Sequence, residues 1–489
     1  MDVILAGFNI DAETLKEMEA GSGPTGEKLT PETVSAAYAR ISRNPRPVNE
    51  LRQIAREDLE KARRSNQTIV FDMGHSSIAE HAAFNIDVLR LSRLAVEFVE
   101  QFRLASYTEK SQRYIRLNGD FVVPEEIRKA GLADLFTETI QAQNALYEDL
   151  HRAILHHLTE REPVEPDRNR AALLDGSAKE DARYILSLAT ESQLGMTVNA
   201  RTLELMIRRA AAHPLAEVRE YGRRLFDATH DVAPSLIRYT EATDFDRHTG
   251  EDLKRTISVL AGSTDPATAD DPVLLVDSTR DGDNMILAAL IQNVLGQPLP
   301  RCLHIARNLA LAEKESLIRA ACARMESWDA PLREFEMAEM TFDVVMSASC
   351  FAQMKRHRMA TVLARDYDPA LDVTVPETII NAGMEETFRT MIDRTNDTHE
   401  RIRAHAPEAA PYVLTNAHRR RVVIKVNLRE LYHIVRLRED RHAQWDIQQT
   451  ARRMVDLGRQ AMPLSLMFAC GKDAFREVKE KQLQKNLQQ

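Results

Sequence analysis

Two runs of side chains in this 489-residue sequence have the types and density to do chemistry. The first is Arg103, Ser106, Glu109, Ser111, Arg113 and Tyr114. A hydroxyl two positions before an arginine, with a carboxylate close by, suits an oxyanion: the serine donates one hydrogen bond and the guanidinium adds a charged fork. The same run also fits a solvated turn. The second is Lys355, Arg356, His357 and Arg358, with Gln353 just ahead, directly after the apolar stretch SASCFAQM. Such a run suits an electron-rich ring or a diphosphate, and equally suits the negative end of a helix dipole.

A third pattern is spaced rather than dense. Arg201, Leu205, Arg209 and His213 recur every four residues, which places them along one helical face. Arg429 with His433, and Arg438 with His442, share that spacing. A row of this kind is a plausible anion site or a solvated stripe.

The elements that must position these groups occur twice. VNARTLELMIRRAAAHPLAEVREYGRRLFD begins at Val198, and VNLRELYHIVRLREDRHAQWDIQQTARRMVD begins at Val426. Both follow a β-like run, open with Val-Asn-x-Arg, carry Arg-x-x-x-His and pass into an amphipathic helix. That many ordered coincidences mark an internal repeat. Upstream, Phe84, Ile86 and Val88, and then Phe342, Val344 and Met346, alternate with a strand's period of two. Long helical segments follow at about 135–158 and 384–406. The expected fold class is α+β, two tandem domains each with a central sheet and long helices. The segment AGSTDPATADDP reads as a linker over 261–272, between domains at 1–260 and 273–489.

Composition excludes several classes. Net charge is −9, from 65 basic and 74 acidic residues, which argues against a dedicated nucleic-acid binder. The four cysteines, Cys302, Cys322, Cys350 and Cys470, make no Cys-x-x-Cys pair and no zinc spacing. No metal site is expected, and a reduced, cytoplasmic setting fits. No run of about 18 apolar residues exists, so no membrane span is expected. GSGPTGEKLT at Gly21 imitates a phosphate loop, but Glu27 precedes the lysine and no strand leads into it.

Taken together, these residues resemble the flavin-dependent thymidylate synthase family, whose signature is RHRxxSxNExSxRY. The resemblance covers about residues 30–245 and 280–470, and the motif is split between them. In the first half Gln101-Phe102-Arg103 stands for RHR, followed by Ser106, Thr108 in the Asn slot, Glu109, Ser111, Arg113 and Tyr114. In the second half Arg356-His357-Arg358 is intact, but Thr361, Leu363, Ala364, Asp366, Asp368 and Pro369 fill the other slots.

The resemblance implies FAD as cofactor, dUMP as substrate, and methylenetetrahydrofolate and NADPH as co-substrates. It assigns Glu109, Ser111, Arg113 and Arg183 to dUMP, and Gln353, Arg356 and Arg438 to the reacting uracil. It assigns His75, Ser77, Glu80, His357, Arg358, Asn427, Arg429, His433 and His442 to FAD. Asp368 stands where an arginine should meet phosphate, and Pro411 stands in place of Arg183. Two anions a few Å apart repel by roughly 1–4 kcal/mol at effective dielectrics of 80 to 20, so the second motif should not hold dUMP. The losses partition by role, which implies one composite site built from both halves. A homodimer of this double-length chain would then mimic the family's four-domain assembly. The alternatives are a non-catalytic flavin- or nucleotide-binding relative, or a sister flavoenzyme acting on another uridine nucleotide.

Overall fold

The computed structural model describes residues 1–21, 29–113, 115, 119–162, 167–261 and 271–484. Residues 262–270 of the expected linker, most of the phosphate-loop look-alike and Tyr114 lie outside this set. Among the described residues, no helix is long and apolar enough to cross a membrane.

The chain forms two compact units, one of residues Met1–Pro266 with Glu386–Leu414, the other of Ala267–Glu385 with Thr415–Gln489. Each contains a four-stranded antiparallel sheet of the same order. In the first unit β1 (Asp2–Phe8), β2 (Ala83–Ser92), β3 (Ala105–Glu109) and β4 (Glu191–Asn199) run β1-β2-β4-β3. In the second, β5 (Val273–Ser278), β6 (Glu339–Ser347), β7 (Thr361–Tyr367) and β8 (Arg419–Asn427) run β5-β6-β8-β7. The alternating residues read from sequence all face a core: Phe84, Ile86, Val88, Phe342, Val344 and Met346 are buried.

The same two caps turn strand into helix in each unit. Ser92 Oγ accepts from Ala95 N and Ser347 Oγ from Cys350 N, both at 3.0 Å, which starts the helices Arg93–Glu100 and Ala348–Met354. Asn199 Oδ1 accepts from Thr202 N and Asn427 Oδ1 from Glu430 N, both at 2.9 Å, which starts Ala200–Ala211 and Leu428–Arg438. These four caps give a common frame for comparing the copies position by position. One difference is a bulge in β2 between Leu89 and Leu91, where Arg90 adopts φ 57°. β6 pairs with β8 without a shift.

The division of the chain departs from a linear one at residues 386–414. The helix Glu385–Arg403 and the turn Pro407–Val413 complete the core of the first unit, where Ile402, Ala409, Tyr412 and Val413 are buried. Polar side chains fix the fit to the helix Ala133–Glu160. Gln143 Nε2 donates to Thr395 Oγ1 at 2.8 Å and to Val413 O at 3.0 Å, and the hydroxyls of Thr139 and Thr398 are 3.0 Å apart. Composition and spacing do not reveal this, because a long amphipathic helix says nothing about which sheet it will cover.

Candidate functional site

The first unit gathers three arginines around two carboxylates. Arg93 is the first residue of the helix capped by Ser92, and it is buried. Its Nη1 donates to Glu109 Oε1 at 2.6 Å, and Ser192 Oγ donates to the same oxygen at 3.2 Å. Burial pulls the Arg93 guanidinium down, but Glu109, Glu97 and Glu100 together hold it above its ordinary value. Arg113 Nη2 donates to Glu180 Oε2 at 3.2 Å, with Nε 2.9 Å from Oε1. Its own backbone N donates to Ser111 Oγ at 3.1 Å, which shapes the turn after β3.

Arg183 is buried at the start of a single 3₁₀ turn, its Nε donating to Glu180 O at 3.1 Å. Burial lowers its pKa; Tyr184 and Glu180 oppose the shift, while Arg93 and Arg113 add to it. Arg183 therefore feels both of the other guanidiniums. Such a cluster of fixed forks is suited to a phosphate-sized anion.

The second unit has nothing equivalent at these positions. Counting from the cap serines, Ala348 replaces Arg93, Ala364 replaces Glu109 and Asp368 replaces Arg113. Asp368 Oδ1 instead accepts from Ala370 N at 2.9 Å and caps a short turn. Arg420 takes the register position of Ser192, since Leu91 pairs with Ser192 and Met346 with Arg420. Its guanidinium is buried between the rings of Phe351 and Tyr367, with centroid distances of 4.6 and 4.2 Å. A cation–π sandwich occupies the place of the ion-pair cluster.

What the second unit has is a buried polar cluster after the helix Ala348–Met354. His357 is buried, and its Nε2 accepts from Arg438 Nε at 2.9 Å. Arg438 Nη2 also donates to the backbone oxygen of Gln353 at 3.0 Å. Gln353 Nε2 donates to Gln444 Oε1 at 3.4 Å. On the other side, His357 Nδ1 is 3.3 Å from Glu430 Oε1, and the His433 ring stands edge-on at 5.7 Å. Burial, Arg438 and then His433 push the His357 pKa well below its ordinary value, so the ring is neutral. Burial raises the Glu430 carboxyl against the pull of His433 and Arg429.

In the first unit four of those five positions are apolar and the fifth is a threonine. Phe98, Phe102, Thr202, Ala210 and Leu215 stand for Gln353, His357, Glu430, Arg438 and Gln444, and Phe98 packs on Phe102 at 5.4 Å. One fold thus tolerates either filling.

The other sequence-derived residues are dispersed. Arg356, Arg358, His433 and His442 are exposed around the second unit's cluster. Arg429 is held by Pro331 O at 2.8 Å and Glu336 Oε1 at 3.0 Å. Asn427 serves as a helix cap. In the first unit His75 is exposed just before the short 3₁₀ helix Ser76–His81 and Ser77 is exposed within it, and Glu80 pairs with Arg201 at 2.6 Å.

The four-residue ridge is corrected at its ends. The helices stop at Ala211 and Arg438, so His213 and His442 lie in the turns beyond. His213 packs edge-on against Phe98 at 5.1 Å, and the backbone N of His442 donates to Asp440 Oδ1 at 2.8 Å. Arg93, Glu180, Glu430, Gln444 and Arg420 were not singled out by sequence. Arg93 had a signal: a charged residue directly after a capping serine, where the second copy has alanine.

A repeated α+β unit with a guanidinium–carboxylate cluster in one copy and an imidazole–guanidinium cluster in the other defines a tandem protein whose copies have diverged at these positions. The chain belongs to the thymidylate synthase complementing protein family, whose model matches residues 27–235 and again 274–464. It is similar along most of its length to a UPF0159 protein of Chlamydia muridarum, with 24% identity over 78% of this chain and 75% of the relative. A UPF0159 protein of Thermoplasma acidophilum is 22% identical over 86% of this chain and 91% of its own. The flavin-dependent thymidylate synthase of Clostridium tetani is 28% identical over 43% of this chain and 82% of its own, a single copy's length.

Proposed function

We propose that the protein is a flavin-dependent methyltransferase that converts dUMP to dTMP with methylenetetrahydrofolate and NADPH, in a site to which both copies contribute. The observation that carries this reading is the partition of the two clusters. The anion-type cluster of Arg93, Arg113 and Arg183 stands in the first copy. The ring-type cluster of Gln353, His357 and Arg438 stands in the second, and each copy lacks the other's set. Membership of the family supports the class of reaction, and the similarity to the C. tetani enzyme supports the substrate.

In this reading Arg113, Ser111 and Arg183 hold the phosphate, and Glu109 keeps Arg93 in place beside them. Gln353, Arg356 and Arg438 meet the pyrimidine. His357, Arg358, Asn427, Arg429, His433 and His442, with His75, Ser77 and Glu80 of the first copy, hold FAD. The residues fit such a group: buried neutral donors and acceptors back an exposed rim of arginine and histidine, as a polar ring edge and a diphosphate require. Bound FAD would supply the one-carbon and hydride chemistry, and the protein supplies position and charge. No cysteine nucleophile is needed; burial pushes Cys322 up to about 12 and raises Cys350 strongly.

The test is rescue of a thymidine-requiring bacterium by the coding sequence, with flavin absorbance of the purified protein and turnover of dUMP beside UMP. Growth with dUMP turnover supports the reading. Turnover of UMP instead favours a sister enzyme, and bound flavin with no turnover favours a binding relative. Mixing Arg113→Ala with Arg356→Ala chains asks whether sites form across a homodimer, since activity regained on mixing requires two chains.

A further inference from the structure

We propose that Lys472 and Asp473 are positioning residues: together with Asp440 they clasp the turn Glu439–Gln444 and so set His442 and Gln353 toward the ligand. Both lie in the tail beyond residue 464, where the match to the family ends. The inference rests on the reading above in taking His442 and Gln353 as ligand-facing groups.

The turn joins the helix that carries Arg438 to the helix Trp445–Ala461. Asp440 is buried at its hub. Its Oδ1 accepts from His442 N at 2.8 Å, and its backbone oxygen accepts from Ala443 N at 2.9 Å and from Gln448 Nε2 at 2.8 Å. A buried carboxylate is costly without a countercharge. Lys472 supplies one, its Nζ 2.9 Å from Oδ2. Burial pushes the Asp440 carboxyl up, yet Lys472 and the His442 N–H together hold it below its ordinary value. The next tail residue takes the next turn residue, since Arg441 N donates to Asp473 Oδ2 at 3.0 Å. Gly471 lets the tail come this close. Its N donates to Glu439 Oε2 at 3.3 Å, and a Cβ there would stand 2.6 Å from Glu439 O. At the far end of the turn Gln444 Oε1 accepts from Gln353 Nε2 at 3.4 Å, so a shift of the turn passes to Gln353.

The first copy has no such clasp at its turn. It joins the same two helices through Ala212–Leu215, with Ala212 at the position of Asp440 and Leu215 at that of Gln444. The chain that follows returns to the helix instead, where Asp246 stands 3.3 Å from Arg208 and from Arg209. The clasp thus accompanies the polar pair of Gln353 and Gln444, and it is absent where Phe98 and Leu215 replace them. The tail does not depend on it for anchorage. Phe475 is buried in the core of the second unit, and Lys479 Nζ donates to Glu326 Oε1 at 3.0 Å. Lys472 and Asp473 are themselves exposed, where an ion pair adds little to global stability.

The experiment compares the full-length parent with Lys472→Met/Asp473→Ala, with Lys472→Arg, which keeps the charge, and with Lys479→Met, which breaks the tail's pair with Glu326. Amide exchange over residues 437–446, read by mass spectrometry, should quicken about ten-fold in the double variant as the turn opens. It should stay at the parent rate in the other two. FAD titration by fluorescence should show affinity weakened about three- to ten-fold in the double variant, in the range of one lost hydrogen bond, and nearly unchanged in Lys472→Arg and Lys479→Met. Unchanged exchange in the double variant overturns the inference. So does equal quickening in Lys479→Met, because the tail would then act only through general stability. A loosened turn with unchanged FAD affinity overturns it as well. If the parent takes up no FAD, the proposed function fails, while the exchange comparison still decides whether the tail holds the turn.

Discussion

Glu180 holds Arg113 with both carboxylate oxygens, one accepting from Nη2 at 3.2 Å and the other 2.9 Å from Nε. Its backbone oxygen also receives Arg183 Nε, so one residue aims two guanidiniums. A fork held in this way loses less entropy on meeting a phosphate than a free side chain would.

Arg113→Ala should therefore weaken nucleotide binding by about 10- to 100-fold, the worth of one or two charge-assisted hydrogen bonds. Asp368→Ala, at the equivalent position of the second copy, should leave it unchanged. Isothermal titration with dUMP measures both; equal effects would mean that the copies are not divided by role.

Arg420 should matter for stability alone. Arg420→Ala removes two ring contacts and the donation from Nε to Arg365 O, and opens a gap between Phe351 and Tyr367. The expected loss is about 1–3 kcal/mol, read from the urea midpoint, with no change in nucleotide affinity.

His357 should make stability depend on pH. Its folded pKa lies well below the unfolded value, so between the two the unfolded chain binds the extra proton. Stability should be full above about pH 6.5 and fall as pH drops below it, by up to about 1.4 kcal/mol per unit. His357→Phe should flatten that slope. At neutral pH it should also cost about 1–3 kcal/mol, because Arg438 Nε loses its acceptor and Glu430 loses the imidazole beside it. Adding Glu430→Thr should recover part of that cost, and melting curves across pH 5–8 test both.

Residues 1–266 alone should not fold. Without residues 386–414 the first unit loses Ile402, Tyr412 and Val413 from its core, and Gln143 and Thr139 lose their buried partners. At about 1.5–3 kcal/mol per large side chain, the deficit matches a typical domain's whole stability of about 5–15 kcal/mol. Circular dichroism of 1–266, with and without a peptide of 386–414, decides this; a cooperative melt without the peptide would refute it.

Much of this architecture was legible in the residues. Period-two runs at Phe84 and Phe342 gave strands, and the repeated Val-Asn-x-Arg marked the same strand-to-helix turn twice. The expected helices near 135–158 and 384–406 occur as Ala133–Glu160 and Glu385–Arg403. Pairing was not legible, because it depends on three-dimensional neighbours. Nothing local says that Arg93 meets Glu109, that Glu180 aims Arg113, or that Glu430 faces His357. The ridge failed at His213 and His442 for a local reason: four-residue spacing carries meaning only while the helix lasts.

The loan of residues 386–414 to the first unit bears on how such a gene can evolve. A doubled sequence usually keeps open the return path to two separate genes, each encoding a self-sufficient product. Here a break at the junction would leave the upstream product without part of its interior. The downstream product would carry a helix evolved to cover someone else's sheet. Fission has become harder than further divergence, so the two copies are free to specialise but not to part.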